Sequence, residues 1–286
     1  MTAPSPNADA AGARRGPARG RRFAFGNLLL RGLLDVALPQ SCVVCDRIVP
    51  STADPLCDTC RRAIDDLRRL PCCPRCARTM HPAAIHGHGC RGCRTERYWN
   101  VAGLVRVAPY EESLRRMLIR LKHSRDARPG DLLGRLLAEE LRRRWVDQVE
   151  ALVPVPMHWL RRWQRPREHA LALAQAVARE LGVPVQRAAV RRVKYAQSQM
   201  RLSSREQRFE NVRNCFGPAR RPNVAGKTVC IIDNLVVTGA TIHEVSKVLR
   251  RAGAKRIYAA VVARATPPGG WQADPAALLA GSVGRG

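Results

Sequence analysis

"VCIIDNLVVTGATIHEV", Val229 to Val245, is the stretch whose reading decides the fold. It begins as an apolar run of strand length, passes through a turn that carries Asp233, crosses a small-residue loop and ends on the apolar spacing of a helix. An uninterrupted apolar strand is buried on both faces, which belongs to a parallel sheet covered by helices. The loop "TGAT" brings the hydroxyls of Thr238 and Thr241 and the backbone N–H groups from Gly239 through Ala240 to Thr241 to a helix N-terminus. Unpaired donors and the helix dipole favour a phosphate there. Threonine acting only as a helix cap is the plainer alternative.

The same grammar extends outward. "TIHEVSKVLRRAG" reads as a helix closed by Gly253, and "RIYAAVVAR" as a last strand. Upstream, "HALALAQAVARELG" places Leu171, Ala174, Val177, Ala178 and Leu181 on one helical face, with Gly182 as its cap. "VPVQRAAV" reads as a strand and "ALVPVP" as a buried strand feeding a loop. "YEESLRRMLIRLKHSRD" sets Leu114, Met117, Leu118 and Leu121 on one face with Lys122 at its end, followed by a turn-prone "ARPGD" and a helix from Leu132 to Trp145. "YWNVAGLVRVAPYEE" alternates like a pair of strands. Short β-rich runs alternating with helices predict an α/β fold, a parallel sheet with helices on both faces. Ligands in such sheets lie beyond the C-terminal strand ends, where both "VPVP" and "TGAT" fall.

Nine of the 11 cysteines lie between Cys42 and Cys93. They form four CxxC pairs, Cys42/Cys45, Cys57/Cys60, Cys73/Cys76 and Cys90/Cys93. Two-residue spacing lets two thiolates reach one tetrahedral ion, so the pairs predict one or two structural Zn²⁺ sites in a small zinc-ribbon-like N-terminal domain. Spacing allows pairing in chain order or interleaved. "CCPRC" leaves Cys72 and Cys73 as alternatives, and His81, His86 and His88 are available to replace a thiolate. A four-thiolate site has no open position, so the block is read as a staple rather than a catalytic centre.

The 286 residues carry a net charge of +27, with 45 arginines among 50 basic residues. Such charge suits a polyanionic partner, nucleic acid first, although arginine usage this strong also follows from a GC-rich genome. Aromatics at 5% argue against a stacking platform of many rings. "RRFAFGNLLLRGLLDVALPQ" offers a twin-Arg start, but Arg31 and Asp35 break its apolar run and no cleavage site follows. No stretch approaches the ~20 apolar residues of a spanning helix, so the expectation is a soluble, cytoplasmic protein with no transmembrane segment. Four segments are expected: a disordered basic tail over 1–22; an amphipathic helix (Phe23 to Leu38) and the cysteine-rich block over 23–97; the sheet domain over 98–265; and a flexible tail over 266–286.

"VCIIDNLVVTGAT" resembles the phosphoribosyl pyrophosphate motif of type I phosphoribosyltransferases. The whole order of parts, "LPQSCVVC", paired CxxC, "LKHS", "LVPVP", "QSQMRLSSREQRFENVRNCF" and the phosphate loop, is similar to the ComF family of competence proteins. Gln199, Arg208 and Asn211-Val212 match that family's long segment. The resemblance implies a type I phosphoribosyltransferase-like domain in which Asp233 holds ribose hydroxyls, with Thr238, Gly239, Ala240 and Thr241 around the 5′-phosphate. Mg²⁺ would accompany phosphoribosyl pyrophosphate, met by the backbone near Val155 and Pro156 and by Arg161 or Arg162. Asn234 stands where a second acid is expected, Val237 where a polar residue is expected, and Pro166 replaces a glycine. Those departures predict weakened ligand binding and lost transferase chemistry. By resemblance the chain is an accessory of DNA uptake and natural transformation. Its implied partners are single-stranded DNA, a DNA translocase-type ATPase and recombination proteins, with peripheral association to the membrane uptake machinery. The alternatives are an active phosphoribosyltransferase of nucleotide metabolism or salvage, and a sensor or scaffold working through protein contacts.

Overall fold

The computed structural model of the chain describes residues 40–50, 54–85, 89–90, 92–93, 100–159, 167–196, 202, 204–219 and 222–265. The expected tails over 1–22 and 266–286 and the helix over 23–38 lie outside the described residues, as do His86, His88, Arg161, Arg162, Pro166 and Gln199.

Among the described residues four parallel strands form the sheet: β1 (Gly103–Pro109), β2 (Ala151–Pro154), β5 (Thr228–Val236) and β6 (Arg256–Arg264), in the order β1-β6-β5-β2. The central pair is in register from Thr228 opposite Arg256 to Val236 opposite Arg264. One face is covered by α2 (Glu112–His123), α3 (Arg128–Arg144) and α4 (His169–Leu181), the other by α6 (Ala240–Arg251). The strands are therefore buried on both sides, as their apolar runs require. A small antiparallel ribbon, β3 (Val190–Arg192) with β4 (Phe216–Pro218), and the short helix α5 (Arg205–Val212) lie on the α6 side.

Packing follows the helical periodicity. Leu114, Met117, Leu118 and Leu121 of α2 are all buried. On α4 the buried stripe is Ala170, Leu173, Ala174, Ala176 and Val177, rotated from the expected face. Gly134 explains the rotation: a Cβ there would stand 2.2 Å from that of Ala176, so α3 and α4 touch almost backbone to backbone. Gly182 closes α4 at φ 69°, the left-handed cap that its position predicts.

Four expectations are corrected. "ARPGD" is the first turn of α3, because Pro129 occupies a position whose missing N–H costs nothing. "YWNVAGLVRVAPYEE" gives one strand, β1, among the described residues, since its partner is the distant β6. "VPVQRAAV" is not one strand. Val185 bridges Leu152 at the sheet edge and the chain then leaves, entering β3 at Val190. Asp233 is not in a turn: β5 runs on through Asn234 and Leu235 to Val236 because β6 continues to pair with it.

The cysteine block docks through α1 (Asp58–Arg69), whose Cys60, Ile64 and Leu67 are buried in a core continuous with β1, α2 and α3. Arg68 of α1 donates to Glu139 and Glu140 of α3 at 2.6 and 2.9 Å. Leu104 of β1 donates its N–H to the Arg75 carbonyl at 2.9 Å.

Candidate functional site

The cysteines gather into two tetrads in chain order, Cys42/Cys45/Cys57/Cys60 and Cys73/Cys76/Cys90/Cys93, with the sulfurs of each within 4.8 Å of one another. The interleaved alternative is thereby excluded. Both tetrads start with the same turn. Cys42 N–H donates to the Arg47 carbonyl and Cys73 N–H to the Arg78 carbonyl, and Asp46 and Ala77 take positive φ at the corresponding bends. Cys72 precedes that turn, bridging Thr79 as Ser41 bridges Ile48, so Cys73 is the ligand. His81 instead accepts the Ala83 N–H on Nδ1 at 3.3 Å and starts a 3₁₀ turn.

The donor chemistry fits Zn²⁺. Thiolates about 2.3 Å from a tetrahedral ion lie roughly 3.8 Å apart, and the Cys45–Cys57, Cys73–Cys93 and Cys76–Cys90 sulfurs are 3.7, 3.7 and 3.8 Å apart. In each set one thiol is held down while another is pushed up. The Cys76 side chain and backbone N–H groups hold Cys73 at about 4, whereas burial and the charge on Cys73 push Cys93 to about 12. Burial pushes Cys42 up, but the N–H groups of Cys57, Cys45 and Val44 outweigh it and hold it at about 7. Only a dication lets four such sulfurs ionise together. Gly89, at φ 99°, is part of the design, since a Cβ there would stand 2.6 Å from the Cys93 sulfur.

A four-thiolate zinc centre carries two negative charges, and the second tetrad lies against buried guanidinium groups. Arg106 of β1 is 6% exposed and Arg264 of β6 is 1% exposed. Cys76 feels the charge of Arg264, and Arg106 feels those of Cys72 and Cys76. Arg106 donates from Nη1 to the Thr79 hydroxyl at 2.5 Å, and its Nη2 has no hydrogen-bond partner among the described residues. Sequence reading missed this pair. The signal was available: "LVRVA" and "VVAR" place an arginine inside or at the end of a buried strand, where a charge needs a counter-charge.

At the C-terminal end of the sheet, β5 presents Asp233 and Asn234, both buried. Asn234 N–H donates to Asp233 Oδ1 at 2.8 Å, and the Asn234 side-chain Nδ2 has no partner among the described residues. Burial pushes Asp233 up to about 6 against the opposing pull of that N–H, Lys122 and Arg192. Gly239 takes φ 85° as N-cap of α6, and the Ala240 N–H donates to Thr238 Oγ1 at 3.4 Å. The N-cap is therefore the glycine, with no side-chain cap of its own, and the Thr238 hydroxyl just before it meets only the first helical N–H. Val155 and Pro156 follow β2 beside this end, with the Val155 N–H on the Ile232 carbonyl at 3.0 Å. From the long segment, Arg208 donates to the Leu202 carbonyl at 2.9 and 3.1 Å, and Glu244 of α6 accepts the Asn214 N–H at 2.9 Å. Mg²⁺ takes one or two carboxylates and fills its other positions with water and substrate oxygens. Asp233 supplies the one carboxylate that the motif retains.

Competence protein F of Haemophilus influenzae is 30% identical over 230 residues, covering 78% of this chain and 96% of that protein. The chain belongs to the competence protein F family. DNA utilization protein YhgH of Salmonella typhimurium is 29% identical over 227 residues, with 78% and 96% covered. Family models for a phosphoribosyl transferase domain and a double zinc ribbon domain match residues 166–274 and 33–94. Purine phosphoribosyltransferase from Pyrococcus horikoshii Ot3 is similar at 19% identity and a TM-score of 0.29, over 47% of this chain and 71% of that one. The family's parts map onto the geometry: the double zinc ribbon holds the tetrads, and the phosphoribosyltransferase-type sheet holds Asp233 and the Thr238–Thr241 loop. No helix among the described residues is long and apolar enough to cross a membrane.

Proposed function

We propose that this member of the family is a cytoplasmic accessory protein of DNA uptake and use that binds single-stranded DNA, and that its sheet domain holds a phosphoribosyl pyrophosphate-type ligand without turning it over. The observation that carries the reading is the match to Competence protein F along nearly that protein's whole length, joined to a chain charged +27. Such a charge meets a strand mainly through its phosphates. A DNA translocase-type ATPase and recombination proteins are its partners, and it meets the uptake machinery at the membrane peripherally. Two zinc ions hold the ribbons.

Anisotropy titrations of the zinc-loaded chain with a labelled thymidine oligomer test the DNA reading. Affinity should fall steeply with salt, by roughly 0.7 decade per decade of salt for each phosphate engaged. Absence of binding, or affinity flat in salt, overturns it.

The ligand reading rests on Asp233 and the α6 N-terminus acting with one acid instead of two. Asn234→Asp should tighten calorimetric binding of phosphoribosyl pyrophosphate with Mg²⁺ about ten-fold or more, because a charged-group contact is worth roughly 1.5–3 kcal/mol. Unchanged affinity means that position 234 does not meet the ribose. A second reading, an active phosphoribosyltransferase, is favoured by the retained Asp233 and "TGAT". Release of pyrophosphate by the purified chain would establish it.

A further inference from the structure

Among the described residues large exposed rings are scarce, and two of them stand together. Trp159 is 59% and Tyr195 54% exposed, and both lie against the ring of His158, which is buried. The ring centroids are 5.7 Å apart for His158–Trp159, tilted by 33°, and 5.4 Å for His158–Tyr195, edge to face at 85°. A buried ring between two exposed ones fixes their planes, so ordering them costs little when something stacks on them.

Cations stand next to them. Arg192 ends β3 with its guanidinium 5.2 Å from the Phe216 ring centroid, and its Nε donates to the Lys194 carbonyl at 3.4 Å. Lys194 is exposed and directly precedes Tyr195. The cluster sits on the ligand end of the sheet: Trp159 follows β2 by a few residues, and the charge of Arg192 reaches Asp233. Exposed rings flanked by fixed positive charge suit one class of partner, a polyanion that also presents flat apolar faces. Bases inside a duplex are covered on both faces, so the fit is to a single strand.

We propose that Trp159 and Tyr195 form a two-ring stacking platform for bases of single-stranded DNA, with Arg192 and Lys194 meeting the adjoining phosphates. This rests on the DNA-binding reading above and gives it a location. Two rings are compatible with the low aromatic content, because sequence-tolerant binding needs only a base or two held against a charged track.

The test uses the zinc-loaded full chain and two labelled probes of equal length, a thymidine oligomer and an abasic deoxyribose-phosphate oligomer. Wild type should bind the thymidine oligomer more tightly. Trp159→Ala and Tyr195→Ala should each weaken that binding roughly ten-fold while leaving the abasic oligomer unaffected, and Trp159→Phe should recover most of the loss. Equal wild-type affinity for the two probes, alanine variants that bind thymidine like wild type, or variants weakened equally on both probes would each overturn the platform while DNA binding stands. If wild type binds neither probe, the DNA reading falls and the platform with it.

Discussion

Cys73→Ser should leave one zinc ion per chain where the two tetrads hold two, and should lower the thermal unfolding midpoint of the whole sheet domain by roughly 10 °C or more. The second tetrad is buried in the core shared with β5, β6 and α6, so its loss is not confined to a ribbon at the edge. Its ion also fixes the charge balance. Burial, with the charge of Arg264 beside it, already lowers Arg106 to about 10 against the opposing pull of Cys72, Cys76 and Glu140. Losing the thiolate dianion removes the negative charge that the tetrad sets against the buried Arg106 and Arg264, and removing a partner of a buried charge costs about 3–5 kcal/mol. Cys45→Ser is the comparison: it also removes one ion, but Cys45 is exposed, and the guanidinium that feels its charge, Arg116, is solvated. Its midpoint should shift less. Zinc analysis paired with calorimetric scans of both variants decides, and equal shifts would mean that the second ion is not the counter-charge of the sheet.

How legible this was in the sequence depends on whether a residue's partner is local. The face of α2 was readable because Leu114, Met117, Leu118 and Leu121 recur at helical spacing, and each is buried. Gly182 and Gly253 were readable as helix ends because positive φ excludes most other residues. The tetrads were readable as CxxC pairs, but which pairs met was not, since that depends on how the chain between Cys60 and Cys73 folds back. Strand limits were lost where pairing is long-range. β5 outruns Asp233 only because β6 keeps pairing as far as Arg264, and "VPVQRAAV" splits because the edge offers it Leu152 alone. Arg106 and Arg264 went unread among 45 arginines, most of which need no explanation. Trp159 and Tyr195, 36 positions apart, become neighbours only through His158.

Asp233→Asn should stabilise the ligand-free protein while destroying its response to phosphoribosyl pyrophosphate with Mg²⁺. Burial raises this carboxyl from 3.8 to about 6, so the folded chain holds its proton more tightly than the unfolded chain does. Stability from this group is therefore fully present below pH 3.8 and lost as pH rises through about 6. At pH 7.5 the ionised, buried carboxylate costs about 3 kcal/mol for the two-unit shift, and the isosteric amide does not. In a domain of this size that corresponds to about 5–10 °C in the unfolding midpoint. The gain should shrink on acidification and vanish near pH 4, which separates it from a packing effect that pH would not move. The same charge is what a magnesium-bound sugar pyrophosphate needs, so ligand binding by wild type should weaken as pH falls through about 6, and the amide should bind poorly throughout. A less stable variant at pH 7.5 would mean that the Asn234 N–H, Lys122 and Arg192 outweigh burial, and the acid would then be a structural group of β5. A more stable variant that no longer binds would show a carboxylate that strains its own fold until a cation relieves it, as a site kept for a ligand requires.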